Sequence, residues 1–276
     1  ELVQGSLNVL MAHHSMRDEL LKNAKDVQLL VNPKRQKEFA IIRNQTIILE
    51  QNAETHELWG ELATDDDQAY NKKTKEILHE LIKAVRVRKY TLEFDRDFQP
   101  VREIQDLLRN LGLFEISLKV LGLLDSVEED EDGELDDVAK NTQELCSLCN
   151  ELLYWFTLGN PVNQEIVFEE LDFFLDSLDA GISSHKVVKA VFKDNETLMK
   201  LVPHSYLSDM ADKICQEGKS HHYLALASSI THVGEKNITQ NQFEIIRSLC
   251  NPERMDQVSC FLVPTDHPDY QEKIEL

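Results

Sequence analysis

The chain has 276 residues, of which 42% are hydrophobic, and 29 basic against 50 acidic side chains give it a net charge of −21. The hydrophobic fraction is typical of a folded protein rather than a disordered one. A surface this acidic repels phosphate backbones, which argues against nucleic-acid binding. The nine glycines and seven prolines are too few for the turns of an all-β protein of this length. The composition therefore favours long helices.

Segment patterns and cysteine usage indicate a cytosolic setting. No run of eighteen apolar residues occurs, so no membrane-spanning helix is predicted, and no signal-peptide pattern is visible. Because the chain begins without Met, we expect it to be a piece of a longer protein. The cysteines are odd in number and mostly have apolar neighbours, which predicts reduced, buried thiols; they are Cys146, Cys149, Cys215, Cys250 and Cys260.

The N-terminal part is predicted to be helical up to residue 59. Apolar spacing over residues 2–31 predicts two helices, with Ser15 capping the second and Asp18 and Glu19 in its first turn. A more polar helix is predicted over 34–59. Residues 60–74 are polar, acidic and without helical period, so we expect an acidic linker or mobile loop there.

Helical spacing resumes at Ile77 and ends in the basic run RVRKY, residues 86–90. We interpret these charges as favourable contacts with a helix C-terminus rather than as a ligand site. A non-helical connector is expected over 91–100. Two amphipathic helices are then predicted over 101–112 and 113–124, and Gly112 is placed to end the first of them.

The rest of the chain is predicted as further helices with short breaks. A second acidic loop, 125–137, precedes a long apolar helix over 138–158, and no segment has the alternating pattern of a strand. Many amphipathic helices in a loose repeat of about forty residues favour an all-α, armadillo/HEAT-like α-solenoid over a bundle. The predicted domains are N-terminal helices over 1–59, the linker over 60–74 and an armadillo-like domain over 75–276.

No pattern predicts a catalytic or metal centre. The acidic loop fits a calcium-binding EF-hand with Gly133 at its sixth position, but Ala139 stands where a bidentate Glu is needed. Cys146 and Cys149 form a C-x-x-C without a second ligand pair at zinc spacing, so we interpret them as core residues. His221 and His222 are adjacent and point about 100° apart on a helix, so they are poorly placed to share a metal ion. No phosphate-binding glycine loop or nucleophile motif occurs, so we predict a non-catalytic protein without a cofactor.

The run FTLGNPVNQEIVFEELDFFLDSL, residues 156–178, resembles a ligand loop but is explained as a corner between two helices. Gly159 suits the left-handed position after a helix, Asn160 suits an N-cap and Pro161 suits the first helical position. Asn163 and Gln164 fall in the first turn, where their side chains can reach freed backbone groups. The carboxylates fall mostly on the solvent face of the helix that follows.

The same corner resembles the signature segment of the ryanodine and inositol trisphosphate receptor homology domain. The matching residues are Phe156, Gly159, Asn160, Asn163 and Gln164. Residues 2–31 are similar to the segment that precedes this domain in inositol trisphosphate receptors, and 107–123 and 190–236 continue the order of its helices. The short region around 60–75 and the acidic residues 128–137 depart from the family and suggest a divergent member.

The resemblance implies a cytosolic, armadillo-type regulatory domain of a tetrameric calcium-release channel of the endoplasmic reticulum membrane. Its expected partners are other domains and subunits of the channel, with no membrane contact and no direct inositol trisphosphate binding. The family binds regulatory calcium at domain junctions, and the resemblance places Asp18 and Glu19 as candidate ligands. Two alternatives remain open: a domain of a ryanodine receptor, or a general armadillo-type adaptor for protein partners.

Overall fold

Helices make up most of the residues that the computed structural model describes, which are 32–88, 98–126, 137–216, 221–234 and 236–251. The chain divides into two compact units, Glu1–Phe156 and Thr157–Leu276, at the end of a long helix. The expectation of a mainly helical protein is confirmed. The solenoid arrangement and the domain boundaries proposed from the sequence remain predictions.

The first unit contains six helices and one hairpin within the described ranges. The helices are α1 (Pro33–Glu54), α2 (His56–Trp59), α3 (Asp65–Val85), α4 (Arg102–Asn110), α5 (Leu113–Leu121) and α6 (Asp137–Thr157, whose last residue begins the second unit), and a 3₁₀ turn covers Gly122–Ser126. Helix α1 packs on α3 and α5, and α4 packs on the same two helices. Fully buried leucines fill the spaces between them, each contributing about 1.5–3 kcal/mol: Leu49, Leu78, Leu81, Leu108, Leu113, Leu121, Leu145, Leu152 and Leu153.

The predicted acidic linker is helical from Asp65 onward, which corrects the expectation for residues 65–74. The Thr64 hydroxyl accepts a hydrogen bond from Asp67 N, and the Asp67 carboxylate accepts one from Thr64 N at 2.9 Å. This reciprocal capping box starts the helix, and three aspartates in the first turn lie at its positive end. The acidic run therefore encodes a helix start rather than a linker.

Two short hairpins correct the expectation that the chain has no strands. Strand β1 (Arg86–Arg88) pairs antiparallel with β2 (Phe98–Pro100), with Val87 opposite Gln99. Strand β3 (His232–Val233) pairs with β4 (Lys236–Asn237) around the left-handed Gly234, whose φ is +57°. Strands of two or three residues are too short for a period-two pattern to be recognised.

The basic run after α3 has a structural role in the first unit, but one that differs from the predicted helix-end contact. The Arg86 guanidinium pairs with Glu151 at 2.8 Å and lies 4.6 Å from the centre of the Phe98 ring. It also lies 5.6 Å from the centre of the Trp155 ring. These contacts hold the β1–β2 hairpin against α6.

The cysteine prediction is confirmed for two thiols and wrong for a third. Cys146 and Cys149 are fully buried in α6 and lie 3.4 Å and 3.6 Å from the backbone oxygens of Val120 and Ser117. Burial raises the pKa of both thiols, that of Cys149 to about 12, so neither is a reactive thiolate at neutral pH. Cys250 is exposed. The side chain of Cys215 and all of Cys260 lie outside the described residues.

The second unit consists of seven helices and the β3–β4 hairpin within the described ranges. The helices are α7 (Pro161–Glu169), α8 (Leu171–Asp176), α9 (Ser184–Phe192), α10 (Glu196–Leu201), α11 (His204–Gln216), α12 (His221–Ser229) and α13 (Thr239–Leu249). Helix α9 is central because it packs against α7, α8, α10 and α12, while α11 packs against α12 and α13. Its buried side chains form much of the core of this unit: Val187, Val188, Ala190, Val191 and Phe192.

The single helix expected after the corner is two helices, α7 and α8. Glu170 leaves helical geometry with φ −109° and ψ 28°, and its N–H bonds to the Val167 oxygen at 3.2 Å, which tightens the last turn of α7. Neither Gly nor Pro stands at the break, so local sequence gives no signal for it. The acidic side chains of this region are solvent-exposed as expected: Glu165, Glu169, Glu170, Asp172, Asp176 and Asp179.

His56 is a buried, titratable side chain of the short helix α2. His56 is 8% exposed, and its ring meets the Trp59 ring edge-on with 4.7 Å between the ring centres. Trp59 in turn donates its indole N–H to the backbone oxygen of Asn52 on α1. The His56 Nε2 atom is buried without a hydrogen-bond partner. A side chain at Gly60 would collide with the imidazole, because an added Cβ lies 2.4 Å from it. Burial lowers the pKa of His56 below its ordinary value of 6.5.

We predict that His56 makes this chain less stable in mild acid. Because its pKa is lower in the folded state, the unfolded chain takes up a proton first, and stability is lost as pH falls below about 6.5. His56→Phe keeps a ring of similar size without the titrating group. Urea unfolding at pH 7.5 and 5.5 should show the His56→Phe variant gaining stability relative to the native chain at the lower pH. A difference in unfolding free energy that does not change with pH would contradict the prediction.

Candidate functional site

The corner between α6 and α7 has the local geometry predicted from the sequence. Gly159 is left-handed, with φ +68°, and no atom lies within 4 Å of where its Cβ would stand. The glycine is therefore favoured by backbone conformation rather than by close packing. The Asn160 side chain caps α7 by accepting from Asn163 N at 3.2 Å, and Pro161 begins the helix.

Gln164 forms three side-chain hydrogen bonds with residues far along the chain. It is 1% exposed, and its amide nitrogen donates to the backbone oxygens of Ala190 at 2.8 Å and Lys193 at 2.9 Å. Its amide oxygen accepts from the Asn195 side chain at 3.0 Å. Both N–H groups and the oxygen of this amide are thus used, which a buried amide requires if its burial is not to be costly. The side chain connects α7 to the end of α9.

Asn195 extends this connection to the next helix. Its side-chain oxygen caps α10 by accepting from Leu198 N at 3.2 Å, while its amide group donates to Gln164. The turn before it requires a left-handed residue, Asp194, with φ +56°. The amides of Asn160, Gln164 and Asn195 therefore join the start of α7, the end of α9 and the start of α10. We call these three side chains the amide joint.

Sequence reasoning identified Gln164 but assigned it a local role in its own helix turn, and it missed Asn195 as a partner. The Asp194–Asn195 pair is recognisable as a break between helices, and Asn is a common N-cap. The contact between Gln164 and this break, about thirty positions later in the chain, depends on how α7 packs against α9. The sequence around Gln164 gives no signal for it.

The other motif residue, Phe156, lies near the C-terminal end of α6 and is fully buried. It belongs to the first unit, whereas the amide joint lies in the second. Phe156 therefore serves as a core side chain at the end of the helix that precedes the corner.

An exposed ion-pair cluster lies beside the amide joint. Glu196, in the first turn of α10, contacts Lys200 on its own helix and Lys236 on β4, each at 2.6 Å. These hydrogen bonds, that of Lys200 first, lower the pKa of Glu196 to about 2. Since both lysines are exposed and Glu196 is only partly buried, we expect the cluster to position the β3–β4 hairpin more than to stabilise the unit.

The amide joint itself offers no group for acid–base or nucleophilic chemistry, because its three side chains are neutral amides that do not titrate. Among the described residues, no set of three or more His, Cys, Asp and Glu side chains is placed to hold a metal ion. Asp18 and Glu19, and most of the EF-hand-like loop, lie outside the described residues. Within the same ranges, no helix is both long and apolar enough to cross a bilayer.

Residues 75–262, about two thirds of the chain, match the family model of the RIH domain, the domain of ryanodine and inositol trisphosphate receptors. The chain belongs to the RIH domain family. The resemblance inferred from the corner motif is thereby confirmed, and the matched region includes both the corner and the amide joint. The family is one of calcium-channel receptors rather than of enzymes. The choice of an inositol trisphosphate receptor over a ryanodine receptor remains a prediction.

We predict that Gln164→Leu destabilises the RIH domain by about 2 to 3 kcal/mol. The variant keeps a side chain of similar size but leaves the Lys193 oxygen and the Asn195 amide without their partner, and buried polar groups without partners cost about 1–3 kcal/mol each. Urea unfolding of the 276-residue chain measures the change. Glu165→Leu, at the exposed neighbouring position, is the matched control and should change stability by less than about 0.5 kcal/mol. Equal effects of the two variants would contradict a special role for Gln164.

Proposed function

We propose that this chain is a cytosolic regulatory domain of an intracellular calcium-release channel of the inositol trisphosphate receptor type. In this proposal the helices stack as an armadillo-like solenoid that relays conformational change between a ligand-binding core and a pore. The domain would act by rigid-body motion and without catalysis. Its partners would be other domains and subunits of a tetrameric channel at the endoplasmic reticulum membrane.

The observation that carries the proposal is the amide joint inside an RIH domain. A domain that relays motion must move as a body, and a buried side chain that connects three helix ends favours a single arrangement of those ends. The exchange of one arrangement for another would require the loss of several buried hydrogen bonds together. The joint therefore opposes internal rearrangement, so that the domain moves as a body when it is displaced at one end.

The proposal also includes a regulatory calcium ion at a domain junction, with Asp18 and Glu19 as its ligands. The family resemblance is the support for it. Apart from this calcium ion, the proposal requires no cofactor and no inositol trisphosphate site on the chain itself.

We predict that Gln164→Leu, placed in the full-length channel, uncouples agonist binding from calcium release. Couplings of 1–3 kcal/mol between sites correspond to about 5- to 150-fold changes, so we expect peak release at saturating agonist to fall by about fivefold or more. The measurement is agonist-evoked release from the endoplasmic reticulum of cells without endogenous receptors. Tetramer abundance on native gels checks that the variant assembles.

Glu165→Leu is the matched control and should release calcium as the native channel does. Saturating agonist should still occupy the Gln164→Leu channel, because the proposal places the ligand site elsewhere. Normal release from an assembled Gln164→Leu channel would contradict the relay. Micromolar or tighter binding of inositol trisphosphate to the isolated 276-residue chain would contradict a regulatory domain outside the ligand-binding core.

A further inference from the structure

A cavity of about 130 Å³ lies between helices α8, α11 and α12 of the second unit. Its lining is mainly apolar, with the tyrosine rings of Tyr206 and Tyr223 beside four aliphatic or thioether side chains: Leu175, Leu178, Met210 and Leu226. Apolar cavities of this order accept one benzene-sized group, whereas pockets for larger ligands measure about 300–1,000 Å³. The cavity therefore suits a single apolar side chain.

The rim of this cavity is negatively charged. Asp172 and Asp176 on α8 and Asp209 on α11 line it and are exposed. Within the described part of the chain, none of these three carboxylates forms an ion pair. Lys213 also lines the cavity, but its ammonium group lies 3.1 Å from the Asp179 carboxylate.

The same Asp179 carboxylate fixes one wall of the cavity. The Tyr223 hydroxyl donates its one hydrogen to this carboxylate, whose two oxygens lie 2.7 Å and 2.8 Å from the hydroxyl oxygen. Because Lys213 and Tyr223 are both held by Asp179, the position of the Tyr223 ring is set before any partner arrives. A preformed wall lowers the entropy cost of binding.

We propose that this cavity is a docking site for a basic peptide segment that carries one apolar anchor side chain. The anchor would occupy the cavity, and Lys or Arg residues on either side of it would contact Asp172, Asp176 and Asp209. Charge complementarity favours this occupant over a second copy of the same chain, because two chains that each carry a charge of −21 repel each other. The inference goes beyond the relay function and does not depend on it.

The direct test uses the 276-residue chain and the synthetic peptide Ac-KKGFGKK-NH2. Met210 lines the cavity, whereas Met199 is buried outside its lining. In a sample with ¹³C-labelled methionine methyl groups, the peptide should shift the Met210 signal and leave the Met199 signal in place. Substitution of Met210 by Leu assigns its signal. The dissociation constant follows from the titration of the Met210 shift.

Variants of the rim test the charge part of the proposal. Asp176→Asn together with Asp209→Asn should weaken binding about fivefold at low salt and reduce its dependence on salt, since exposed ion pairs contribute modestly. Glu165→Gln together with Glu169→Gln on α7 changes the net charge equally, away from the cavity lining, and should leave the affinity within twofold. Equal weakening by both pairs of substitutions would overturn the proposal, because the attraction would then come from net charge alone.

Two other peptides test the anchor and the specificity. Ac-KKGAGKK-NH2 lacks the aromatic anchor and should bind at least tenfold more weakly, and Ac-EEGFGEE-NH2 should not shift Met210. Equal binding of the alanine peptide would overturn the anchor, and binding of the acidic peptide would overturn the charge requirement. Absence of any Met210 shift at millimolar Ac-KKGFGKK-NH2 would overturn the docking site itself.

Discussion

The second unit depends on one buried amide that has all of its hydrogen-bonding groups satisfied. Gln164 reaches from the first turn of α7 to two backbone oxygens at the end of α9 and receives a hydrogen bond from Asn195, which starts α10. Helix ends carry backbone groups without partners inside the helix, and burial of such groups without other partners is costly. One side chain that serves two helix ends at once therefore restricts how α7, α9 and α10 can be placed.

Features encoded by neighbouring residues could be predicted from the sequence. Gly159 at a left-handed position, Asn160 as a cap and Pro161 at the first helical position follow from backbone sterics and hydrogen bonding within a few residues. The same holds for Gly112, which is left-handed after α4. The family could also be recognised from the sequence, because Gly159 and Asn160 of the corner motif are among these locally constrained residues.

Features that depend on distant contacts could not be predicted. Nothing near Gln164 in the sequence indicates Asn195, since their contact requires α7 to lie on α9. The acidic residues 65–67 lie in a segment without helical period, which predicts a linker, although Thr64 and Asp67 form a capping box there in the folded chain. The cavity between α8, α11 and α12 brings together residues from 172 to 226, and its acidic rim is a property of the folded unit alone.

A double-mutant cycle between Gln164 and Asn195 tests most directly whether the amide joint holds these helix ends together. Gln164→Leu removes the acceptor, and Asn195→Ser keeps a helix cap for α10 while its side chain is too short to reach Gln164. Unfolding free energies of the native chain, both single variants and the double variant give the coupling energy. The account predicts a coupling of about 1 kcal/mol or more. Additive effects, within about 0.3 kcal/mol, would contradict it.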